Sequence, residues 1–275
     1  MLEHTFIHIP GIGPKTEQHL WQHGILTWRH FLSNKETPFP PARDAFIRKN
    51  LEASIENRDN IRFFLHRLSS GDLWRVFEDF KDRAVYLDIE TSGLYQGVDE
   101  ITIIGLYNGH TVKSFVKGIN LAEFESEISS YELIITFNGS QFDLPFIRHQ
   151  FPNITLPPAH IDLRFLLKRL GLRGGLKAIE KSFGLLRASE IDGIDGYEAV
   201  LLWRAYQWGD ESALDRLTLY NTADIVHLKP LMEKGYQEMK TRLLSVNGNY
   251  SGSKFRGSRF KPALERRNVR FKRFF

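Results

Sequence analysis

Cysteine is absent from the 275-residue chain. That one absence excludes a disulfide framework, a thiolate-bound zinc and a cysteine nucleophile. No stretch approaches the ~20 consecutive apolar residues that a membrane helix needs. The opening residues, MLEHTFIHIPGIG, lack the basic-then-apolar layout of a secretory signal. The expectation is a soluble, cytoplasmic protein with no membrane partner. A large excess of one charge is missing too: 37 Lys+Arg face 33 Asp+Glu, a net charge of +4. Apolar residues make up 42% and charged residues 25%, close to ordinary globular domains, which excludes disorder over most of the length. No internal repeat is visible. The length suits one domain of about 150–200 residues with a smaller companion.

The charge is unevenly placed. From residue 251 onward, Lys254, Arg256, Arg259, Lys261, Arg266, Arg267, Arg270, Lys272 and Arg273 stand against the single acid Glu265. Without that tail the chain is slightly acidic. Phe255, Phe260, Phe271, Phe274 and Phe275 interleave with the cations. Cations for phosphates and rings for bases suit a nucleic-acid strand; phenylalanines docked on the protein's own core are the alternative. Three parts follow: a helical segment over 1–75, an α/β segment over 80–243, and the basic aromatic tail over 244–275.

The middle segment carries the clearest pattern. Residues 83–90 and 100–107 are β-rich runs. Asn108-Gly109 is a hairpin signal, and 111–116 is a third run. A helix over 121–130 leads to the apolar strand 133–137, and the pattern from 143 to about 239 is mostly helical. A meander, a helix, a parallel-type strand and then helices make a mixed α/β sheet with helices packed on it.

Asp88 and Glu90 alternate with Leu87 and Ile89, so a strand puts both carboxylates on one face. There they repel unless a cation sits between them; a solvated edge is the plain alternative. Asp143 falls where the strand 133–137 gives way to a helix, a position that also suits a simple N-cap. Tyr220 and Asp224 are spaced i, i+4 and share a helix face; a surface Asp beside a half-buried Tyr would look the same.

In combination these pieces resemble a known family. Leu87-Asp88-Ile89-Glu90-Thr91-Ser92-Gly93-Leu94 is similar to the first motif of the DEDD (DnaQ-like) 3′–5′ exonucleases. Asn138-Gly139-Ser140-Gln141-Phe142-Asp143 matches the second, and Tyr220-Asn221-Thr222-Ala223-Asp224 the third, in its tyrosine form. Where the histidine form has His, five before the last Asp, this chain has Leu219. His160-Ile161-Asp162-Leu163 and Leu176-Lys177-Ala178-Ile179-Glu180 further resemble the YprB-like branch. The resemblance spans about 80–235 and implies a ribonuclease H-like mixed sheet flanked by helices. It also implies two Mg²⁺ or Mn²⁺ ions. Asp88, Glu90 and Asp224 would hold one, Asp88 would bridge to the second, and Asp143 would act through water. Hard cations prefer carboxylate oxygens, and two such ions can neutralise a phosphodiester and activate water. Tyr220 would orient that water; an unperturbed phenol, with a pKa of about 10, is no free general base at neutral pH. The turn after the first strand would meet the 3′ end, with Thr91 among its contacts and Leu94 wedged on the last base. Phe142 would stack and Asn138 touch the nucleotide. The plain readings are core residues for Leu94 and Phe142, a turn-former for Asn138, and a helix cap for Asp162.

Near the start, Ile9-Pro10-Gly11-Ile12-Gly13-Pro14-Lys15-Thr16 resembles the hairpin of a helix-hairpin-helix DNA-binding motif. Gly11 and Gly13 let the backbone approach a phosphate, the following helix offers free N–H groups, and Lys15 adds charge. A packing module without nucleic-acid contact is the alternative. His4, His8, His19 and His23 lack metal-ligand spacing and read as polar helix-face residues. The sequence therefore predicts an exonuclease releasing 5′-mononucleotides from single-stranded nucleic acid, with DNA favoured over RNA. An inactive nucleic-acid-binding protein and a structure-selective endonuclease are the competing readings.

Overall fold

The computed structural model describes residues 1–245; the tail expected over 244–275 lies almost wholly outside them. Among the described residues one five-stranded sheet is found, ordered β3-β2-β1-β4-β5. The strands are β1 (Ala84–Thr91), β2 (Ile101–Tyr107), β3 (Val112–Val116), β4 (Leu133–Thr136) and β5 (Ala159–Asp162). β1 to β3 form an antiparallel meander, and β4 and β5 add in parallel. The Asn108-Gly109 turn closes the second hairpin: Asn108 Oδ1 accepts from the backbone N–H groups of His110 and Thr111. The strand β5 falls where the sequence suggested helix. Four residues are too few to display a period, and the strand is recognisable only by its alternation of buried Ala159 and Ile161 with half-buried His160 and Asp162.

Helices cover both faces. α1 (Pro14–Gln22), α2 (Trp28–Ser33), α3 (Pro41–Glu56), α4 (Ile61–Leu65) and α5 (Phe77–Phe80) precede the sheet. α6 (Phe124–Ile128) and α7 (Asp143–Gln150) join its strands. α8 (Leu163–Arg169), α9 (Leu176–Phe183), α10 (Gly196–Gln207) and α11 (Glu211–Leu244) follow it. α11 runs through Pro230, which lacks an N–H and would ordinarily break a helix. Burial of Leu228, Leu231, Met232, Tyr236 and Met239 against the main core holds it together beyond that point.

The central strand divides the interior. Val85, Leu87 and Ile89 face one core with α6 and α7. Ala84 and Tyr86 face the other, which continues without a break into the N-terminal helices through Leu2, Phe6, Trp28, Phe64 and Phe77. By the two-residue period of a strand, Asp88 and Glu90 extend that second face. The apolar wall therefore turns acidic as β1 approaches its C-terminal end, beneath α11. No helix among the described residues is long and apolar enough to cross a membrane.

The N-terminal hairpin is built as its glycines require. Gly11 has φ +79°, a left-handed conformation that glycine adopts without strain. Arg43 of α3 donates to Pro10 O at 2.7 Å, beneath the hairpin. Ile9 and Ile12 point into the core, while Gly11, Gly13 and Lys15 are exposed. The element before the hairpin is a single 3₁₀ turn, Leu2–His4. Of the four histidines read as polar helix-face residues, His8 is instead a buried turn residue with Nε2 2.8 Å from Ser54 Oγ, while His4 Nδ1 meets Leu26 O and His23 Nδ1 meets His19 O, each at 2.8 Å.

Candidate active site

Four distant acids meet at the end of β1. Asp88, Glu90 and Asp224 each place a carboxylate oxygen within 4.8 Å of the other two. Asp143, the first residue of α7, accepts from Ile89 N–H at 3.1 Å through Oδ1. The parallel ladder between β1 and β4 covers only residues 84–86 of β1, and the Asp143 carboxylate takes a backbone donor beyond it.

α11 can approach β1 and β2 closely because Asp88 is paired with Gly105. A Cβ at Gly105 would lie 2.0 Å from Asn221 Oδ1, so no side chain fits between helix and strand. Across that gap Asn221 Nδ2 donates to Asp88 Oδ2 at 3.0 Å and to Asp88 O at 3.3 Å. One helical turn on, Asp224 completes the acid group, and Tyr220 lies one turn back on the same face. A register irregularity between Glu90 and Thr91 ends the regular pairing beside the site, as bulges at functional sites often do.

The second motif is bracketed by Asp162. Asn138 sits at φ +68°, a left-handed turn position that Asn tolerates. Asp162 Oδ1 accepts from Asn138 N–H at 2.8 Å, and Oδ2 accepts from Ser140 N–H and Oγ–H. Asp162 also caps α8 through Arg164 N–H, the cap expected from the sequence. Arg164 Nη1 donates to Asn138 Oδ1 at 2.5 Å. Asn138 is therefore a turn residue with an occupied side-chain oxygen. Phe142 is half-buried, its ring 4.9 Å from that of Phe146. Thr91 is buried, its hydroxyl donating to Gly93 O. Leu94 is 73% exposed at the β1–β2 turn, beside exposed Tyr95 and Val98. Gly11, Gly13 and Lys15 belong to the hairpin before α1 and take no part in the acid group.

Sequence reasoning missed the cations of the site. Arg187, in the loop after α9, donates from Nε to Glu180 Oε2 and from Nη2 to Glu180 Oε1, each at 2.8 Å. The same Nη2 also donates to Asp224 Oδ1. Glu180 is held in addition by His227 Nδ1 at 3.0 Å. The Arg187 guanidinium lies 5.3 Å from the Tyr220 ring centroid and Lys177 Nζ lies 4.9 Å from it. Lys177 and Glu180 stand in a segment already singled out by pattern. Arg187 had no local signal, because its role depends on a loop returning to α11.

Burial raises the pKa of Asp88, Glu90, Asp143 and Asp224, because the charged form loses water. Asp88 and Glu90 are pushed well above the ordinary range, by burial first and then by the neighbouring carboxylates. Asp143 is pushed up to about 7, chiefly by burial. Asp224 is raised to about 6, burial outweighing the opposing pull of Arg187. Burial and the same carboxylates raise the Tyr220 phenol too, so it stays protonated at neutral pH. A raised folded-state pKa means that the native state holds protons the unfolded chain has released. Stability from these groups is then fully present below the unfolded value near 4 and is lost as pH rises through about 7. In EDTA the melting temperature should fall between pH 5 and pH 8, and less so in Asp143→Asn; equal slopes in the two proteins would contradict the assignment. The donor set is all oxygen and acidic, which fits a hard divalent cation.

An antiparallel meander extended by parallel strands, with paired acids at the end of its central strand, defines a ribonuclease H-like α/β protein. A family model described as RNase_H superfamily matches residues 85–236, more than half of the chain, and the chain belongs to that superfamily. No curated protein matches it. Among solved structures, the chain is similar to the family B DNA polymerase from the hyperthermophilic archaeon Pyrobaculum calidifontis. The identity is 16%, over 55% of this chain and 24% of that one, at a TM-score of 0.46. It is similar to Brucella melitensis NrnC with bound Mg²⁺ at 22% identity, over 62% of this chain and 79% of that one, at 0.43. It is also similar to Escherichia coli RNase D, an exoribonuclease involved in structured RNA processing. There the identity is 19%, over 64% and 45%, at 0.42. The chain thus spans about a quarter of the polymerase and under half of RNase D.

Proposed function

We propose that the chain is a metal-dependent 3′–5′ exonuclease of the DEDD type, in its tyrosine form and YprB-like branch. It would release 5′-mononucleotides from single-stranded nucleic acid, with DNA favoured and RNA as the alternative. The observation that carries this is the convergence of Asp88, Glu90 and Asp224 to within 4.8 Å, with the Asp143 carboxylate bonded to the Ile89 N–H between the first two. Mg²⁺ or Mn²⁺ held by Asp88, Glu90 and Asp224, with Asp143 acting through water, would neutralise the phosphodiester and acidify an attacking water. Tyr220, kept protonated by burial among acids, orients that water by hydrogen bonding and takes no proton from it. Leu94 would press on the terminal base, a role supported by its exposure on the turn after β1, and Thr91 would meet the 3′ end from that turn, to which it is bonded through Gly93. Phe142 and Asn138, on the second-motif loop that leads to Asp143, would be the further nucleotide contacts.

The helical segment 1–75 and the tail would retain the polymer. Exposed Gly11, Gly13 and Lys15 can meet phosphates without sequence preference. Deleting residues 251–275 should weaken polynucleotide binding and flatten its salt dependence, leaving turnover of a short oligonucleotide intact. Unchanged binding and salt slope would remove the tail from the account.

Polarity and metal need are tested together by incubating 3′- and 5′-labelled single-stranded DNA and RNA in Mn²⁺ and in EDTA. The reading expects 3′ label released at once as mononucleotide, a shortening ladder from 5′ label, and no products in EDTA. Release from the 5′ end first, or undiminished cleavage in EDTA, would refute it.

A further inference from the structure

One acid of the site, Asp224, is bonded to a cation supplied by the chain itself. Arg187 bonds Asp224 Oδ1 while its other edge is locked by Glu180. All three are deeply buried, with side chains 5%, 7% and 2% exposed for Arg187, Asp224 and Glu180. A plain buried ion pair would be complete with Glu180 and Arg187, which already meet through two parallel hydrogen bonds. The third bond, to Asp224, is additional. His227 Nδ1 on Glu180 Oε1 fixes the acid that aims the guanidinium. Arg187 Nη1 has no hydrogen-bond partner among the described residues, and the guanidinium carbon stands 5.3 Å from the Tyr220 ring centroid, within cation–π range. Arg187 therefore engages both Tyr220 and Asp224, one helical turn apart on α11. Lys177, on the same ring, is only half-buried and makes no bond to an acid of the site.

We infer that Arg187 is the built-in counter-cation of the metal-free site, competing with a divalent ion for Asp224. Arg187 puts a positive charge directly on Asp224, whose carboxylate lies within 4.8 Å of those of Asp88 and Glu90. It does so when no ion is bound, and Glu180 prevents it from swinging out to water. A divalent ion then gains Asp224 only by taking over the charge that Arg187 contributes. The affinity of the site for metal is set below what the carboxylates alone would give. Arg187 is thus a positioning residue that governs metal occupancy. The inference rests on the proposed metal-dependent reading, and its test separates the two.

The test is Mn²⁺ titration by calorimetry, with melting curves in EDTA and in Mn²⁺, on the full chain. The wild type and Asp88→Asn come first: wild-type binding that is lost in Asp88→Asn establishes the site, and absence of any binding would overturn the functional reading itself. The double variant Glu180→Gln/Arg187→Met then takes the cation from Asp224 without stranding Glu180 as a second buried charge. It should bind Mn²⁺ about tenfold more tightly, the order expected for losing one charge-assisted hydrogen bond at Asp224. Without a cation on Asp224 it should melt lower than wild type in EDTA, and by linkage it should gain more from Mn²⁺. Arg187→Lys keeps the charge but cannot span Glu180 and Asp224 at once, and its affinity should fall between the two. Equal or weaker Mn²⁺ binding by both variants, with wild-type binding established, would show that Arg187 only braces Asp224, and would overturn the inference.

Discussion

Asp88→Asn should lower nuclease turnover by about a thousandfold or more, the scale seen when one group of a cooperating site is removed. The same variant should melt no lower than the wild type in EDTA. Both expectations come from one geometry. Asp88 sits at the centre of the acid group, with Asp224, Asp143 and Glu90 all acting to raise its pKa. An amide of the same shape keeps an oxygen for the Asn221 Nδ2 donor and removes one of the repelling charges. It also removes a ligand oxygen that a hard cation needs. Activity and stability therefore move in different directions, as they do where a site is held under electrostatic strain. Full turnover in Asp88→Asn would remove Asp88 from the chemistry. A collapse of the fold would show that the carboxylate is structural.

Arg75→Ala should destabilise the protein by about 3–5 kcal/mol, the cost of leaving one partner of a buried ion pair unpaired. Glu17 of α1 and Arg75 are 2% and 3% exposed and meet at 2.8 Å. Glu17 Oε1 also accepts from Phe6 N–H at 2.6 Å and Ile7 N–H at 3.2 Å, just before the hairpin. The carboxylate thus pins the hairpin's entry, α1 and the segment leading to β1 at one point. Removing Arg75 strands that charge in the core. Glu17→Gln/Arg75→Met keeps an oxygen for the two backbone donors and should recover most of the loss. Chemical denaturation of the three proteins measures this directly. A double variant as unstable as Arg75→Ala would assign the loss to packing around Arg75 instead of to the unpaired carboxylate.

The sequence displayed the site through spacing and order. Asp88 and Glu90 are legible because a strand repeats every two residues, and Tyr220 with Asp224 because a helix turn spans four. Asp143 was visible as an acid following an apolar strand. The sheet could be read wherever a run was long enough to show alternation, and β5, four residues long, was not. Gly105 drew no attention, because its value lies in the absence of a side chain opposite Asn221. Arg187 escaped for a related reason: a loop residue acquires its role only when the chain returns to α11. The hairpin glycines were visible as a pattern, while the buried Glu17–Arg75 pair behind them was not, since its members lie 58 positions apart.

The most direct measurement is anomalous diffraction at the manganese edge from crystals grown with Mn²⁺. The account predicts two peaks about 3.5–4 Å apart, one among Asp88, Glu90 and Asp224 and the other on the Asp88–Asp143 side. Manganese elsewhere on the protein, with nothing among these four carboxylates, would contradict it.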